Sequence, residues 1–452
     1  MRPTAVILVS NKKNQYSFLQ LLEQYGQLDH AVTKVLVYAD LGSLSDLNRY
    51  EANSIVVYNL FLPFDDYKQL IEFGFSNGML LKKATQLPTA SELNGQLTIC
   101  DLCIDDLFER NTGFQLDEMQ DKFKDQQVLV TGGAGSIGSE LCKTLAYCNP
   151  KKLVIADQNE ARLWALKQSL STIDSIDNIR FELLDITNQD ALSYLFEKNQ
   201  FTIVIHAAAY KQLPLLQENL YAACTTNFLA TVSLAKLAQQ HSVGTFLNVS
   251  TDKAVMPISY LGLTKRAAEV YLTHLNDQSI NQTQFCNVRL GNVIGSIGSV
   301  VPMFIRQLEN NIPLTITHLN AERYFIANKS VSQLLLEALW IDVKADTLVF
   351  SMMQNIKITA LASVVKMLYL KTLSNDSDKG IQIIGLRSGE KLKEVLHYPD
   401  AQVTDTNNQN ICIVKETALH TPKIDGIVSK LVAINHPSNT TQIEELLLNL
   451  VS

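Results

Sequence analysis

The chain has 452 residues, 46% of them hydrophobic and 18% charged, with 38 Lys and Arg against 45 Asp and Glu. A formal charge of −7 excludes the broad basic face that nucleic acid or anionic lipid requires, so any phosphate site must be local. The length predicts two or three domains at roughly 150 residues each, and no apolar run approaches the ~20 residues that span a bilayer.

The seven cysteines are odd in number and scattered, which predicts free thiols in a reducing cytoplasm. Cys100-Asp-Leu-Cys103 has the spacing of half a zinc site or of a redox pair. No second pair or cysteine–histidine motif follows it, so no metal is expected, and the two read as partly buried structural cysteines. The apolar run Ala5–Val9 is too short for a signal peptide.

Residues 1–95 alternate strand and helix patterns: Ala5–Val9, Phe18/Leu19/Leu22, Lys34–Tyr38, Ile55–Tyr58 and Leu70/Ile71/Phe73. They predict a small α/β domain. Ser10-Asn-Lys-Lys-Asn-Gln15 after its first strand has no glycine, so backbone cannot approach a pyrophosphate closely, and the domain reads as a structural or oligomerising module. Residues 96–122 carry seven acidic positions from Asp101 to Asp121 among short apolar clusters and read as a connector.

The next domain, 123–345, opens with Gln126–Ala146. Val128–Val130 predict a buried parallel strand, Thr131–Gly138 a glycine turn, and Leu141/Leu145 the apolar stripe of a helix. That order suits a dinucleotide, whose pyrophosphate needs close backbone approach and the free N–H groups of a helix start. A second apolar run, Lys152–Ala156, ends in Asp157, placed to accept from an adenosine ribose diol. A carboxylate there repels a 2′-phosphate, which favours NAD; nearby Arg162 keeps NADP as the alternative. Arg180–Ile186 brings Asp185 toward the adenine, and Thr202–Ala209 ends in small residues against which a cofactor can lie.

Thr245–Ser250 reads as another buried strand delivering Thr251-Asp252-Lys253 to the carboxyl edge of the sheet. A hydroxyl, a carboxylate and an amine side by side suit acid–base work; an exposed salt-linked turn is the alternative on these residues alone. Lys265 lies twelve residues beyond Lys253. In short-chain dehydrogenases, which this pattern resembles, a tyrosine four residues before such a lysine shares its helix face and deprotonates the substrate hydroxyl; here that position is Leu261. Tyr260 is turned by about 100° and could serve only from an irregular helix start. Residues 346–452 carry a strand (Thr347–Ser351), a helix (Leu361–Leu370), Gly385-Leu-Arg-Ser-Gly-Glu-Lys391 and a terminal amphipathic helix near Ile443–Leu450. Residues 374–379 and 404–410 read as loops.

From about residue 90 to 400 the chain resembles the nucleotide-sugar 4,6-dehydratases of bacterial polysaccharide and flagellin-glycan synthesis, extended short-chain dehydrogenase/reductases acting on UDP-N-acetylglucosamine. The matching motifs are Thr131–Gly138, His206-Ala-Ala-Ala-Tyr-Lys211, Thr226-Asn227, Ser250–Val255, Val288–Pro302, Arg323-Tyr-Phe325 and Gly385–Lys391. Gln86–Leu93 and Ile104–Arg110 also resemble the segment before the catalytic domain in long, membrane-embedded members, so the chain resembles such a member without its anchor.

The resemblance implies a Rossmann-like doubly wound parallel sheet, a smaller N-terminal α/β domain and a C-terminal substrate-binding α+β portion. It implies NAD held by Gly132, Gly135, Ser136, Ile137, Gly138, Asp157, Asp185, Ile186, Ala207, Ala208, Lys211, Asn227 and Lys265. Chemistry would fall to Thr251, Asp252, Lys253 and Lys265: hydride leaves sugar C4 for NAD+, Lys253 removes the C5 proton, Asp252 protonates the departing C6 hydroxyl, and hydride returns to C6. Asn292, Thr315, Arg323, Arg387 and Glu390 would hold the UDP-sugar, the arginines by bidentate contact to phosphate. A homo-oligomer is expected.

Three departures stand out. Leu261 removes the acceptor for the C4 hydroxyl proton, leaving Asp252, Lys265 or a water chain; some long members carry methionine there. Met256 replaces the usual asparagine, and Leu319-Asn320 interrupts the usual His-Pro-Asp. The rival readings are an epimerase of the same fold and a catalytically silent NAD-binding scaffold.

Overall fold

The computed structural model describes residues 4–25, 31–50, 52–86, 97–173, 177–277, 283–341, 347–370, 379–416, 424–434 and 436–451. Most of the segment 86–93 and of the loop 374–379 lies outside them. The chain divides into two compact units. The smaller holds 1–110, 300–315 and 358–382, and the larger holds 111–299, 316–357 and 383–452.

In the smaller unit, strands β1 (Thr4–Val9), β2 (Ala31–Val37), β3 (Ser54–Tyr58), β4 (Leu80–Gln86) and β5 (Leu97–Asp101) lie in the order β2-β1-β3-β4-β5. The first four are parallel and β5 closes the edge antiparallel to β4. Ile7, Val9, Phe18, Val56 and Tyr58 form its core. The acid-rich stretch expected to be a connector is thus structured. It supplies β5, then a helical turn that buries Leu107 and Phe108. The Phe108 ring lies 5.5 Å from that of Phe64. Two of its carboxylates, Asp106 and Glu109, pair with Lys83, which is why acidity there does not mean a solvated linker. Helices Val300–Glu309 and Ile358–Leu370, expected in the catalytic domain and C-terminal portion, belong to this smaller unit. Ile358–Leu370 packs against Phe64–Ser76 and Val300–Glu309. Cys100 and Cys103, expected partly buried, are exposed free thiols.

The larger unit begins with helix Leu116–Phe123, which buries Met119 and Phe123. Strands β6 (Gln127–Thr131), β7 (Lys152–Asp157), β8 (Ile179–Leu183), β9 (Ile203–His206), β10 (Thr245–Thr251) and β11 (Gln284–Leu290) follow. Short strands β12 (Asn292–Val293) and β14 (Glu322–Ile326) belong to this unit, as do β15 (Thr347–Phe350), β16 (Gln354–Lys357), β18 (Gln402–Asp405) and β19 (Ile411–Lys415), whereas β13 (Leu314–Ile316) and β17 (Ile381–Ile383), which pair with each other, fall mostly in the smaller unit.

The main sheet runs β18-β19-β15-β11-β10-β9-β6-β7-β8. It is parallel from β8 through β15, with β19 and β18 added antiparallel. Alternate residues of each strand feed two cores, as the period-2 pleat requires. Val128, Val130, Leu153 and Ile155 face one, with helix Ser136–Cys148. Leu129, Val154 and Ala156 face the other, with helices Tyr260–Asn276 and Thr440–Val451. The chain starts in mid-sheet at β6, winds outward to β8 and returns to the other side at β9. The reversal between β6 and β9 opens a crevice at the carboxyl ends of those strands, where sheets of this kind bind ligands. Among the described residues no helix is long and apolar enough to cross a membrane.

Candidate active site

The glycine turn leaves β6 at the reversal point. Gly132 adopts φ +67, and a Cβ there would lie 2.6 Å from the Ala208 backbone. Only glycine permits both the left-handed conformation and that approach. Asp157, at the end of β7, accepts the Ala134 N–H through Oδ2 and the Asn159 N–H through Oδ1, both at 2.9 Å. Its carboxylate therefore braces the turn. Ser136 opens the helix Ser136–Cys148, and the Asn328 amide and Ile297 N–H bond to its carbonyl and hydroxyl. Asp185 accepts from the Thr187 N–H and hydroxyl in the turn after β8, beside buried Ile186. Asn227 sits in a π-helical turn and clasps Tyr210 by its N–H and its carbonyl, at 2.8 and 3.0 Å. It thereby fixes the loop carrying Ala207, Ala208 and exposed Lys211. The sequence-derived dinucleotide residues on the β6, β7, β8 and β9 loops thus line one edge of the sheet, and the turn they form fits a pyrophosphate.

Behind them, His206 is wedged between the Thr131 and Thr231 hydroxyls at 2.7 and 2.9 Å. Burial, then the charge of Lys265, pushes its pKa down to about 3, so it is a neutral spacer between elements. Buried Lys265 lies 3.4 Å from Asn248 Oδ1. Burial drags its ammonium down to about 8, against an opposing pull from Glu269.

β10 delivers Thr251 as the cap of a helical turn, Asp252–Ala254. The Thr251 hydroxyl donates to Asp252 Oδ1 at 2.9 Å, and Lys253 Nζ donates to the same oxygen at 2.8 Å. Lys253 Nζ also reaches Asn292 Oδ1 at 3.4 Å and Glu394 Oε1 at 4.0 Å. Asp252 is fully buried, and its other oxygen, Oδ2, has no hydrogen-bond partner among the described residues. Burial works against the Lys253 ammonium, but the charges of Asp252 and Glu394 outweigh it and raise its pKa. The Lys253 side chain keeps 18% exposure, enough to meet a ligand.

Helix Tyr260–Asn276 abuts this turn at Gly262, where a Cβ would stand 2.2 Å from the Lys253 carbonyl oxygen. Ser259 caps the helix by accepting the Gly262 N–H, so its start is regular. Tyr260 points to the C-terminal helix, donating to Glu444 Oε2 at 3.0 Å. Leu261 packs with Leu216 and Ala223. Neither side chain offers a base.

Arg323, buried in β14, donates to Glu390 Oε1 at 2.7 Å and to the carbonyls of Glu322 and Leu392. Glu390 also accepts from the Thr317 hydroxyl and the Arg387 N–H, leaving the Arg387 side chain on the exposed Gly385–Lys391 loop. Thr315 falls in the smaller unit, where Gln307 Nε2 donates to its hydroxyl and Gln307 Oε1 accepts from its N–H.

Two features escaped the sequence reading. Glu394, buried and 3.3 Å from Lys391 Nζ, lies four residues past Glu390, and only its position after the Gly385–Lys391 run could have signalled it. Glu269 accepts from the Ser250 hydroxyl at 2.6 Å and from Arg289, which also meets Glu416. Burial disfavours the Glu269 charge, but Arg289 and Arg266 hold its pKa down to about 2. Its spacing of four from Lys265 was the available clue.

The profile of the family described as "Polysaccharide biosynthesis protein" matches residues 128–416. Capsular polysaccharide biosynthesis protein CapD of Staphylococcus aureus is 35% identical over 67% of this chain and 51% of its own length, so the chain spans about half of that relative. UDP-glucose 4-epimerase of Rickettsia bellii is 30% identical over 73% of this chain and 97% of its own length. UDP-N-acetylglucosamine 4,6-dehydratase (inverting) of Campylobacter jejuni is 31% identical over 62% of this chain and 79% of its own. The match spans the sheet from β6 to β19 together with the Asp252–Lys253 turn and the Arg323–Glu390 pair, and the chain belongs to the polysaccharide biosynthesis protein family, on the extended short-chain dehydrogenase/reductase fold.

Proposed function

We propose that the chain is an NAD-dependent nucleotide-sugar 4,6-dehydratase that converts UDP-N-acetylglucosamine to a UDP-4-keto-6-deoxy sugar for a surface glycan. The observation that carries this is the buried Asp252 carboxylate, paired with Lys253 through one oxygen and unpartnered at the other. The glycine turn, Asp157 and Lys265 would hold NAD, which when bound supplies the acceptor for the C4 hydride and its return to C6.

The chain's own residues move the protons. With Leu261 apolar and Tyr260 turned to Glu444, Asp252 is the acceptor for the C4 hydroxyl proton. It then gives that proton to the departing C6 oxygen, so its cycle closes without a tyrosine. Lys253 takes the C5 proton, which the C4 ketone acidifies, and gives it back after C6 is reduced. Lys265, charged below a pKa of about 8, would hold the nicotinamide ribose. Arg323, Arg387 and Glu390 would hold the UDP portion, Glu390 accepting from a ribose hydroxyl and the arginines pairing with phosphate.

Incubation with UDP-N-acetylglucosamine, without added cofactor, should yield a product lighter by one water in mass spectrometry, and Lys253→Ala should abolish it. The Rickettsia relative, matched over nearly its whole length, favours an epimerase as the second reading. Its signature would be a sugar epimer of unchanged mass, resolved by chromatography, with exchange of the C5 proton in deuterated water only where Lys253 removes that proton. Neither change, even with NAD+ supplied, would overturn both readings.

A further inference from the structure

Lys253 faces two buried carboxylates rather than one. Asp252 comes from its own turn, and Glu394 from the segment after β17 that also carries the Gly385–Lys391 loop. Glu394 has a side-chain exposure of 2%, and its Oε2 has no hydrogen-bond partner among the described residues. A buried carboxylate oxygen without a hydrogen bond is costly, and among the described residues two ammoniums, Lys253 at 4.0 Å and Lys391 at 3.3 Å, offset it. Lys391 is itself anchored, donating to the Val255 carbonyl at 2.6 Å. The other groups around Lys253 are Asn292 of β12 and the Arg323 guanidinium of β14, whose charge opposes the ammonium.

Counting protons gives this second carboxylate a task. If Asp252 receives its proton from the C4 hydroxyl, it cannot also take one from Lys253. Yet Lys253 rests as an ammonium and must become an amine before it can accept the C5 proton. We propose that Glu394 is a positioning residue acting through Lys253: its carboxylate receives the ammonium proton that Lys253 sheds and returns it at the end of the cycle. This rests on the dehydratase reading above. Lys253–NH3+ and Glu394–COO− become Lys253–NH2 and Glu394–COOH. The amine takes the C5 proton, Asp252–COOH loses its proton to the departing oxygen as water, and the ammonium reprotonates C5. Glu394–COOH then restores the Lys253 ammonium, so every proton is accounted for. The 4.0 Å separation must shorten for transfer, as catalytic contacts commonly do on ligand binding.

The charge of the Glu394 carboxylate favours the Lys253 ammonium, so removing it leaves more neutral amine at pH 7, and a purely electrostatic role predicts an unchanged or faster variant. As the acceptor of the ammonium proton, Glu394 predicts the opposite. Glu394→Gln should lower turnover at least tenfold at pH 7, below the titration of Lys265, and Glu394→Asp should restore it. A Glu394→Gln turnover equal to or above that of the unaltered chain would overturn the proposal. A second readout needs no substrate: acetic anhydride labelling of Lys253 against pH, read by peptide mass spectrometry with the other lysines as reference. Glu394→Gln should shift the Lys253 midpoint to lower pH, and an unmoved midpoint would overturn the coupling. If the unaltered protein releases no water from UDP-N-acetylglucosamine, the dehydratase reading fails, and the labelling still decides whether Glu394 governs Lys253.

Discussion

At Met256 the backbone passes through φ +44, a left-handed conformation that costs an L residue with an ordinary side chain about 1 kcal/mol or more. Asparagine tolerates it by local hydrogen bonding, which gives a physical reason for the asparagine usual in the resembling enzymes. Because Met256 is 43% exposed, its side chain has little packing to lose. Met256→Asn should stabilise the protein by about 0.5–1 kcal/mol, seen as a higher denaturation midpoint in urea; an unchanged or lower midpoint would refute the strain. At this scale Asp252 and Lys253 were legible in the sequence because their chemistry is contiguous. Glu394 was not, because its approach to Lys253 depends on a loop that returns from 141 residues further along the chain. Tyr260 could be settled only by the helix start, since one residue of register separates a base from a link to Glu444.

The helix Tyr260–Asn276 abuts the turn Asp252–Ala254 through Gly262 and so fixes where the Lys253 backbone lies. Its contact is the Gly262 face, where an added Cβ would sit 2.2 Å from the Lys253 carbonyl oxygen and drive the two elements apart. Gly262→Ala should reduce turnover by 10- to 100-fold, the scale of an ångström's misplacement of a reacting group, and destabilise by ~1–3 kcal/mol from overpacking. Kinetics with denaturant unfolding would check both, and unimpaired turnover would show that the helix does not position the turn. Elements with a strong period, such as β6, β7 and β10, were legible because alternate apolar residues must serve two cores at once. The stretch 97–123 was not, because its acidic residues look solvated until Lys83, from a different strand, is seen beside them. The placement of helix Ile358–Leu370 likewise depends on the tertiary packing of its apolar face against Phe64–Ser76, which periodicity does not specify.

For the molecule as a whole, the buried ionisable groups predict how stability varies with acidity. His206 titrates near 3 when folded and near 6.5 when unfolded. Below 6.5 the unfolded chain therefore binds a proton that the native state refuses. Stability falls on acidification through that window, by up to about 1.4 kcal/mol per pH unit. Glu269, near 2 when folded and about 4.3 unfolded, adds a loss of the same sign at lower pH. Between pH 7 and 5.5, where carboxylates barely titrate, the protein should lose about 1 kcal/mol. His206→Gln should remove most of that loss, and denaturant titrations giving the variant an equal slope would refute the assignment. The five crossings of the chain between its two units bear on how the protein is made. A ribosome adding roughly 5–20 residues per second releases the strands of the smaller unit first, then spends tens of seconds on the larger one before supplying the helices at 300–309 and 358–370. During synthesis the nascent sheet lacks that helical cover, which makes the first hundred residues the segment most in need of a chaperone.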